Sequence, residues 1–118
     1  CEARGIGIVT GGPYNSGILA TGAVPGAYYN YDPAPAPIME KVSKIEVICA
    51  HFNVPLIAVA LQFPLLHSTH VAVIPGGQSA EQTRSNIAAL ECDIPSELWT
   101  SLKSAGLMHP DAPTGGPR

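Results

Sequence analysis

The chain of 118 residues is long enough for one domain with a real core, and nothing in it requires two. Apolar residues make up 46% and charged residues 13%, and six Lys plus Arg with a formal net charge of −3 leave no basic stripe. No run of 18 apolar residues without breakers is present. We therefore expect no nucleic-acid partner, no anionic membrane surface and no transmembrane helix.

The cysteines are Cys1, Cys49 and Cys92, an odd number without CxxC spacing. This pattern argues against a disulfide framework or a zinc site and favours a reducing, cytoplasmic setting. Cys49 falls on an apolar helix face, which predicts a small buried hydrophobe rather than a catalytic thiol. The first residues show neither an initiator Met nor a signal-peptide layout, so we expect the chain to begin inside a longer protein.

The first predicted strand covers residues 5–10, a short apolar run that a Gly-Gly-Pro turn stops. Asn15 and Ser16 follow just beyond its carboxyl end, where α/β folds place ligands. Their side chains are candidates to donate hydrogen bonds to a ligand oxygen. The alternative is that these side chains form hydrogen bonds with their own local backbone in a turn.

A long loop is predicted over residues 22–37, because four prolines in this stretch remove backbone donors and block a helix. Loops of this length are commonly lids or binding loops. Its tyrosines, Tyr28, Tyr29 and Tyr31, either line a substrate mouth or pack the loop onto the body.

Two helices are predicted next. Residues 38–52 carry apolar side chains at the three-and-four spacing of an amphipathic helix, and residues 55–63 are apolar nearly all round, which indicates a buried helix. His67 and His70 are three apart, but no third ligand or carboxylate accompanies them. We therefore predict no metal site.

Residues 71–86 predict a strand, a Pro-Gly-Gly turn and a helix, with Ser79 and Gln82 at the spacing of a capping box. The first N–H groups of a helix favour a bound anion such as phosphate, and glycine lets the backbone approach it. Our hypothesis is that this turn holds the phosphate end of a nucleotide. An ordinary βα turn with nothing bound is the alternative.

The helix that starts near Ser79 is predicted to bury Thr83, Ile87 and Leu90 as its inner stripe. Another helix is predicted to start at residues 93–97, with Gly106 at its C-terminal cap. Residues 108–118 are rich in proline and glycine and are predicted to be a disordered tail.

Two turns carry a family resemblance. Residues 12–19 read Gly-Pro-Tyr-Asn-Ser-Gly-Ile-Leu, and residues 73–76 read Val-Ile-Pro-Gly with Asn86 ten residues after Gly76. Together with the linking segment 54–67 and with residues 93–99, they resemble the C-terminal part of aldo-keto reductases, in the branch of sugar and pyridoxal dehydrogenases. The resemblance covers residues 1–107.

The resemblance implies an α/β fold, the C-terminal fragment of a (β/α)8 TIM barrel. Residues 6–10 and 71–74 would be strands 7 and 8, with their helices and an extra C-terminal helix, and residues 1–107 would be the barrel portion. In that family a nicotinamide dinucleotide lies across the C-terminal face of the barrel. The implied contacts to its pyrophosphate and nicotinamide half are Gly12, Pro13, Tyr14, Asn15, Ser16, Gly17 and Leu19. Those to its adenosine half are Ile74, Pro75, Gly76, Gly77, Gln82, Ser85 and Asn86, with Asn86 facing the adenine.

The resemblance also bears on the choice of cofactor. Many members that prefer the 2′-phosphorylated cofactor have Lys where this chain has Gly76 and Arg where it has Gln82. Without those cations we predict NAD, while Arg84 keeps NADP as the alternative. The aromatic residue that stacks on nicotinamide in many members corresponds to Gly11 here, with Tyr14 as a neighbouring candidate.

No residue of this chain matches the family's catalytic Asp, Tyr, Lys and His, which come from earlier strands. Because such a barrel needs about 250 residues, we expect N-terminal barrel units of the same protein as the partner of this chain. The resemblance implies reversible hydride transfer between a nicotinamide cofactor and a small carbonyl or sugar substrate. A non-catalytic nucleotide-binding or scaffold module is the alternative.

Overall fold

A computed structural model describes residues 1–115 of the chain. The strands in chain order are β1 (Ile8–Gly11), β2 (Tyr28–Tyr29), β3 (Asp32–Pro33) and β4 (His70–Ile74). The α-helices are α1 (Ile18–Thr21), α2 (Ala36–His51), α3 (Leu56–Gln62), α4 (Ala80–Glu91) and α5 (Ser96–Ser104). Short 3-10 turns cover Glu2–Arg4, Asn15–Gly17 and Phe63–Leu66.

The first and last strands form a parallel pair. Gly11 of β1 lies beside Ile74 of β4, so both strands end at the same edge. The sequence placed both strands correctly, although β1 begins at Ile8, later than predicted. The parallel arrangement follows from the chain between them, since α2 and α3 carry it back to the edge where β1 began. It brings the two glycine-rich turns to one side of the molecule.

The helices pack on one face of this strand pair and form the core. The fully or nearly buried side chains of the main cluster are Cys49, Val54, Ala58, Val59, Leu61, Ala89, Leu98, Trp99 and Leu102. The predicted burial of α3 is confirmed, because three of its seven residues are in this cluster. The predicted burial of Cys49 is confirmed as well, at 2% exposure.

The other face of the strand pair is uncovered in the described residues. Side chains alternate along a strand, so Val9 and its partner Ala72 lie with Ile74 on the face opposite Val73, which packs against the core. On that face Val9 and Ile74 are both more than half exposed. This face is therefore an apolar surface made by strand residues.

The prediction for the inner stripe of α4 is wrong. Thr83, Ile87 and Leu90 are exposed, whereas Asn86 and Ala89 are buried. The helix turns Ala89 toward α3, where the Gln62 side-chain amide donates to the Ala89 carbonyl at 2.8 Å. The residues of α4 at apolar spacing therefore lie on the side of this helix that the described part of the chain leaves uncovered.

The prediction of a long irregular loop over residues 22–37 is corrected. Strands β2 and β3 form a hairpin with a two-residue turn. The turn residues, Asn30 and Tyr31, have φ values of 50° and 67°. Such a pair of positive φ values is typical of a type I′ turn, which Asn-Gly usually forms. Tyr31 stands where glycine is expected, so the turn gave no sequence signal. Helix α2 then begins at Ala36, with a proline in its first turn.

Helix α5 ends at Ser104, and Gly106, the glycine predicted for its cap, follows Ala105 with a left-handed φ of 70°. Beyond it, the Lys103 ammonium donates to the Ala112 carbonyl at 2.7 Å. The disordered tail over residues 108–118 stays a prediction, and residues 116–118 of it lie outside the described residues. Within residues 1–115 no single helix is long and apolar enough to cross a membrane, although Ala36–His51 and Leu56–Leu66, bent by 103°, reach that criterion together.

Candidate functional site

The two glycine-rich turns meet in one cleft beyond the ends of β1 and β4. The cleft has a volume of about 450 Å³ and is lined by residues 12–17 from the first turn and residues 76–78 from the second, with Gln82. The parallel pairing of Gly11 with Ile74 brings the turns together. Ligands of open α/β sheets bind at this end of the strands.

A second cleft of about 510 Å³ continues from the first. The two share Tyr14, Gly76 and Gln82, and the second adds Ser79, Glu81, Ser85 and Asn86 from helix α4, together with Ala20 and Ile57. Ligand sites typically have volumes of about 300 to 1,000 Å³. The shape therefore suits one elongated ligand that runs from the first turn to the start of α4.

The first turn has an unusual backbone. Gly12 and Gly17 have φ values of 59° and 110°, and Asn15 and Ser16 between them have 46° and 63°. Asn15 Oδ1 accepts from the N–H of Asn30 at 3.0 Å, and Ser16 Oγ accepts from the N–H of Tyr31 at 2.8 Å. The oxygens of both side chains thus bind the hairpin turn, while the Asn15 amide group and the Ser16 hydroxyl proton stay free to donate.

The second turn leads into a capped helix start. Ser79 Oγ accepts from the N–H of Gln82 at 3.1 Å, and Gln82 Oε1 accepts from the N–H of Gln78 at 2.7 Å. The predicted cap is confirmed, except that the Gln82 side chain bonds one residue earlier than a capping box does. The amides of Ala80 and Glu81 keep the free N–H groups of a helix start, which favour a negative ligand group.

A hydrogen-bond chain joins the two turns. The Tyr14 hydroxyl donates to Asn86 Oδ1 at 2.6 Å, and Asn86 Nδ2 donates to the Gly76 carbonyl at 3.3 Å. Asn86 is only 9% exposed, and burial raises the pKa of Tyr14, so the phenol keeps its proton as the donor. The Asn86 amide is engaged within the protein, and a contact to adenine stays a prediction.

Most of the residues predicted to contact a cofactor lie in the two clefts. They are Gly12, Pro13, Tyr14, Asn15, Ser16, Gly17, Gly76, Gly77, Gln82, Ser85 and Asn86. Pro75 lines a neighbouring groove beside Ile87 and Leu90, and Ile74 is exposed on the strand face. Leu19 is turned toward α2 and α3, where it lines an apolar cavity with Ile45 and Leu56.

Sequence reasoning missed five residues of the cleft lining, namely Ala20, Ile57, Gln78, Ser79 and Glu81. For the last three the signal was available, since a cap at Ser79 places its neighbours at the helix start beside the turn. Glu81 is the only charged side chain among the residues that line these two clefts, and Arg84 is not among those residues. An anionic ligand would depend on backbone N–H groups and on neutral side-chain donors such as Asn15 and Ser16.

The remaining candidate residues form no second site. Among residues 1–115 no group of three or more His, Cys, Asp or Glu side chains is placed to hold a metal ion. The rings of His67 and His70 meet edge to face with centroids 5.6 Å apart, and His67 Nδ1 lies 2.7 Å from Thr69 Oγ1. All three cysteines are free thiols.

Comparison with known proteins is consistent with this geometry. The model of the aldo/keto reductase family matches residues 1–106. Pyridoxal 4-dehydrogenase of Microbacterium luteolum is 40% identical over 107 residues, which are 91% of this chain and 31% of that protein. D-threo-aldose 1-dehydrogenase of a Pseudomonas species is 33% identical over 109 residues, 92% of this chain and 33% of that protein.

The chain thus spans about a third of the length of these two relatives, both of which are dehydrogenases. Their family implies a (β/α)8 barrel, and the described residues form a small α/β unit with a parallel strand pair, as part of such a barrel would. The recognition made from the two turns is confirmed: this chain belongs to the aldo/keto reductase family.

Proposed function

We propose that this chain is the cofactor-binding C-terminal part of an oxidoreductase that transfers hydride between NAD and a sugar or aldehyde. The observation that carries the proposal is the meeting of the two glycine-rich turns in adjoining clefts that share Tyr14, Gly76 and Gln82. Aldo/keto reductases typically use a nicotinamide cofactor, which is a dinucleotide and therefore elongated.

The residues of the clefts fit such a cofactor. Gly12 and Gly76 carry no side chain, and a Cβ built on either meets nothing within 4 Å, so the backbone is open to a ligand. A phosphate group of the cofactor is a good match for the free N–H groups at the start of α4. When bound, the nicotinamide supplies the hydride chemistry, while this chain orients the dinucleotide and shields it on one side.

The cleft electrostatics favour NAD over NADP. A 2′-phosphate would need a Lys or Arg partner, and none of the residues that line the two clefts is a cation. The Glu81 carboxylate is placed in the same cleft, where it suits a ribose hydroxyl better than a phosphate. Arg84, the alternative cation, is absent from the lining, which supports the same preference.

We further propose that N-terminal barrel units of the same protein cover the uncovered face of the strand pair. In this proposal β1 and β4 are strands 7 and 8, and the exposed Val9 and Ile74 belong to the barrel interior. A separate scaffold or nucleotide-binding module would have to leave this apolar face and both edges of a two-stranded sheet exposed to water. The exposed face therefore supports the barrel proposal over the separate module.

Catalytic groups belong to the proposed N-terminal units. There a tyrosine would act as general acid or base, with a lysine lowering its pKa. The relatives act on pyridoxal and on D-threo-aldoses by name, which supports a small polar carbonyl or its alcohol as the substrate. The free thiols agree with a cytoplasmic setting.

The proposal is tested by titrating the whole protein with NADH and with NADPH while following cofactor fluorescence. We expect NADH to bind and NADPH to bind more weakly. Failure of both to bind would overturn the proposed function, and tighter binding of NADPH would overturn the preference for NAD.

Sequencing the gene upstream of the codon for Cys1 separates the proposed enzyme from the separate module, since the enzyme requires six more βα units there.

A further inference from the structure

The hairpin of β2 and β3 is tied to the first turn of the cleft by two adjacent hydrogen bonds. The backbone N–H groups of Asn30 and Tyr31 donate to the side-chain oxygens of Asn15 and Ser16, at 3.0 and 2.8 Å. Two consecutive residues of the hairpin turn therefore bind two consecutive residues of the first turn, and the partners in each bond are fifteen positions apart in the chain.

Both partners in this contact have left-handed backbones. Asn15, Ser16, Asn30 and Tyr31 all have φ values between 46° and 67°, and none of them is glycine. Asparagine tolerates this region, but a bulky residue such as Tyr31 adopts it only when its surroundings enforce it. Each turn thus depends on the other to keep its conformation.

The side chains of the hairpin turn do not provide this support. Tyr31 is 91% exposed, and neither Asn30 nor Tyr31 lines the two clefts. The hydrogen bonds to the first turn come from their backbone N–H groups. The base of the hairpin is anchored in the protein, because Ala27 is buried beside Ile18 and Val42 and its carbonyl accepts from the N–H of Ala34.

We propose that Asn30 and Tyr31 are positioning residues, which keep Asn15 and Ser16 in the left-handed conformation that the cofactor requires. The inference rests on the proposed function and extends it to a segment that touches no ligand. A turn that is held in its binding conformation before the ligand arrives binds more tightly, because less ordering accompanies binding. By linkage, bound cofactor stabilises the hairpin turn in return.

Two substitutions at one position test the proposal in the whole protein. Asn30→Val places a β-branched residue at a positive φ, whereas Asn30→Gly accepts that φ without strain, and both keep the backbone N–H that bonds to Asn15. We expect the affinity for NADH to fall roughly tenfold in Asn30→Val and to stay within about twofold of the parent in Asn30→Gly. Equal affinities in the two variants would overturn the proposal.

Amide hydrogen exchange in the unmodified protein gives a second measurement that does not depend on how a variant folds. Saturating NADH is expected to slow exchange at the N–H groups of Asn30 and Tyr31, although they lie outside the clefts. Unchanged exchange at both, with NADH bound, would overturn the positioning role and leave the proposed function standing. If the unmodified protein does not bind NADH at all, the proposed function fails first.

Discussion

The hydrogen bond from the Tyr14 hydroxyl to Asn86 Oδ1 predicts a measurable defect in Tyr14→Phe. This substitution removes one oxygen, keeps the ring and leaves the amide of Asn86, only 9% exposed, without its donor at 2.6 Å. A buried polar group that loses its partner costs about 1 to 3 kcal/mol. Since Tyr14 is only half-buried, water replaces part of the bond, and we expect a loss of about 1 to 2 kcal/mol in the free energy of unfolding.

The same substitution is expected to weaken NADH binding about fivefold, because releasing Asn86 loosens its bond to the Gly76 carbonyl in the second turn. Urea unfolding of the whole protein measures the first effect, and isothermal titration with NADH measures the second. Tyr31→Phe is the matched control, since Tyr31 is 91% exposed and both quantities should stay unchanged. Equal unfolding midpoints and equal NADH affinities for the two variants would refute the reasoning.

Three further predictions concern specificity, the uncovered face and pH. Gln82→Arg brings a guanidinium into both clefts and should raise the affinity for NADPH relative to NADH. The control Gln82→Met should leave the ratio of the two dissociation constants unchanged, and an unchanged ratio in Gln82→Arg would contradict the cleft assignment. Val9→Asp should lower the unfolding free energy of the whole protein by about 3 kcal/mol or more if barrel units cover it, whereas Val47→Asp should change little, although the two valines are 52% and 68% exposed here. Burial raises the pKa of the Cys49 thiol from 9.0 to about 11, so the native state keeps a proton that the unfolded state loses. Unfolding free energy should therefore fall by about 2 kcal/mol between pH 9 and 11, and Cys49→Ala should remove that slope in urea titrations at each pH.

Local signals predicted the parts of the fold that depend on neighbouring residues. The spacing of Ser79 and Gln82 predicted the start of α4, and the unbroken apolar character of α3 predicted its burial. Each of the two apolar runs that end in glycine predicted one strand, and the family resemblance implied that the two are neighbours with both turns at one face of a barrel. The local signals act over a few residues, so one sequence was enough to interpret them.

Other features depend on contacts between distant residues and left no local signal. The oxygens of Asn15 and Ser16 accept from a hairpin that is fifteen residues away, and the turn of that hairpin has Tyr31 in the place of glycine. Leu19 lies only two residues after the first turn, yet α1 places its side chain against α2 and α3. Ile87 has the periodicity of an inner stripe, but the described residues leave it uncovered.

The central claim is that both turns hold one dinucleotide, and amide hydrogen exchange of the whole protein with and without saturating NADH tests it most directly. We predict slower exchange in both residues 12–17 and residues 76–82 when NADH is added, because each turn contributes backbone to the clefts. Protection of only one of the two turns, with NADH demonstrably bound, would contradict the claim.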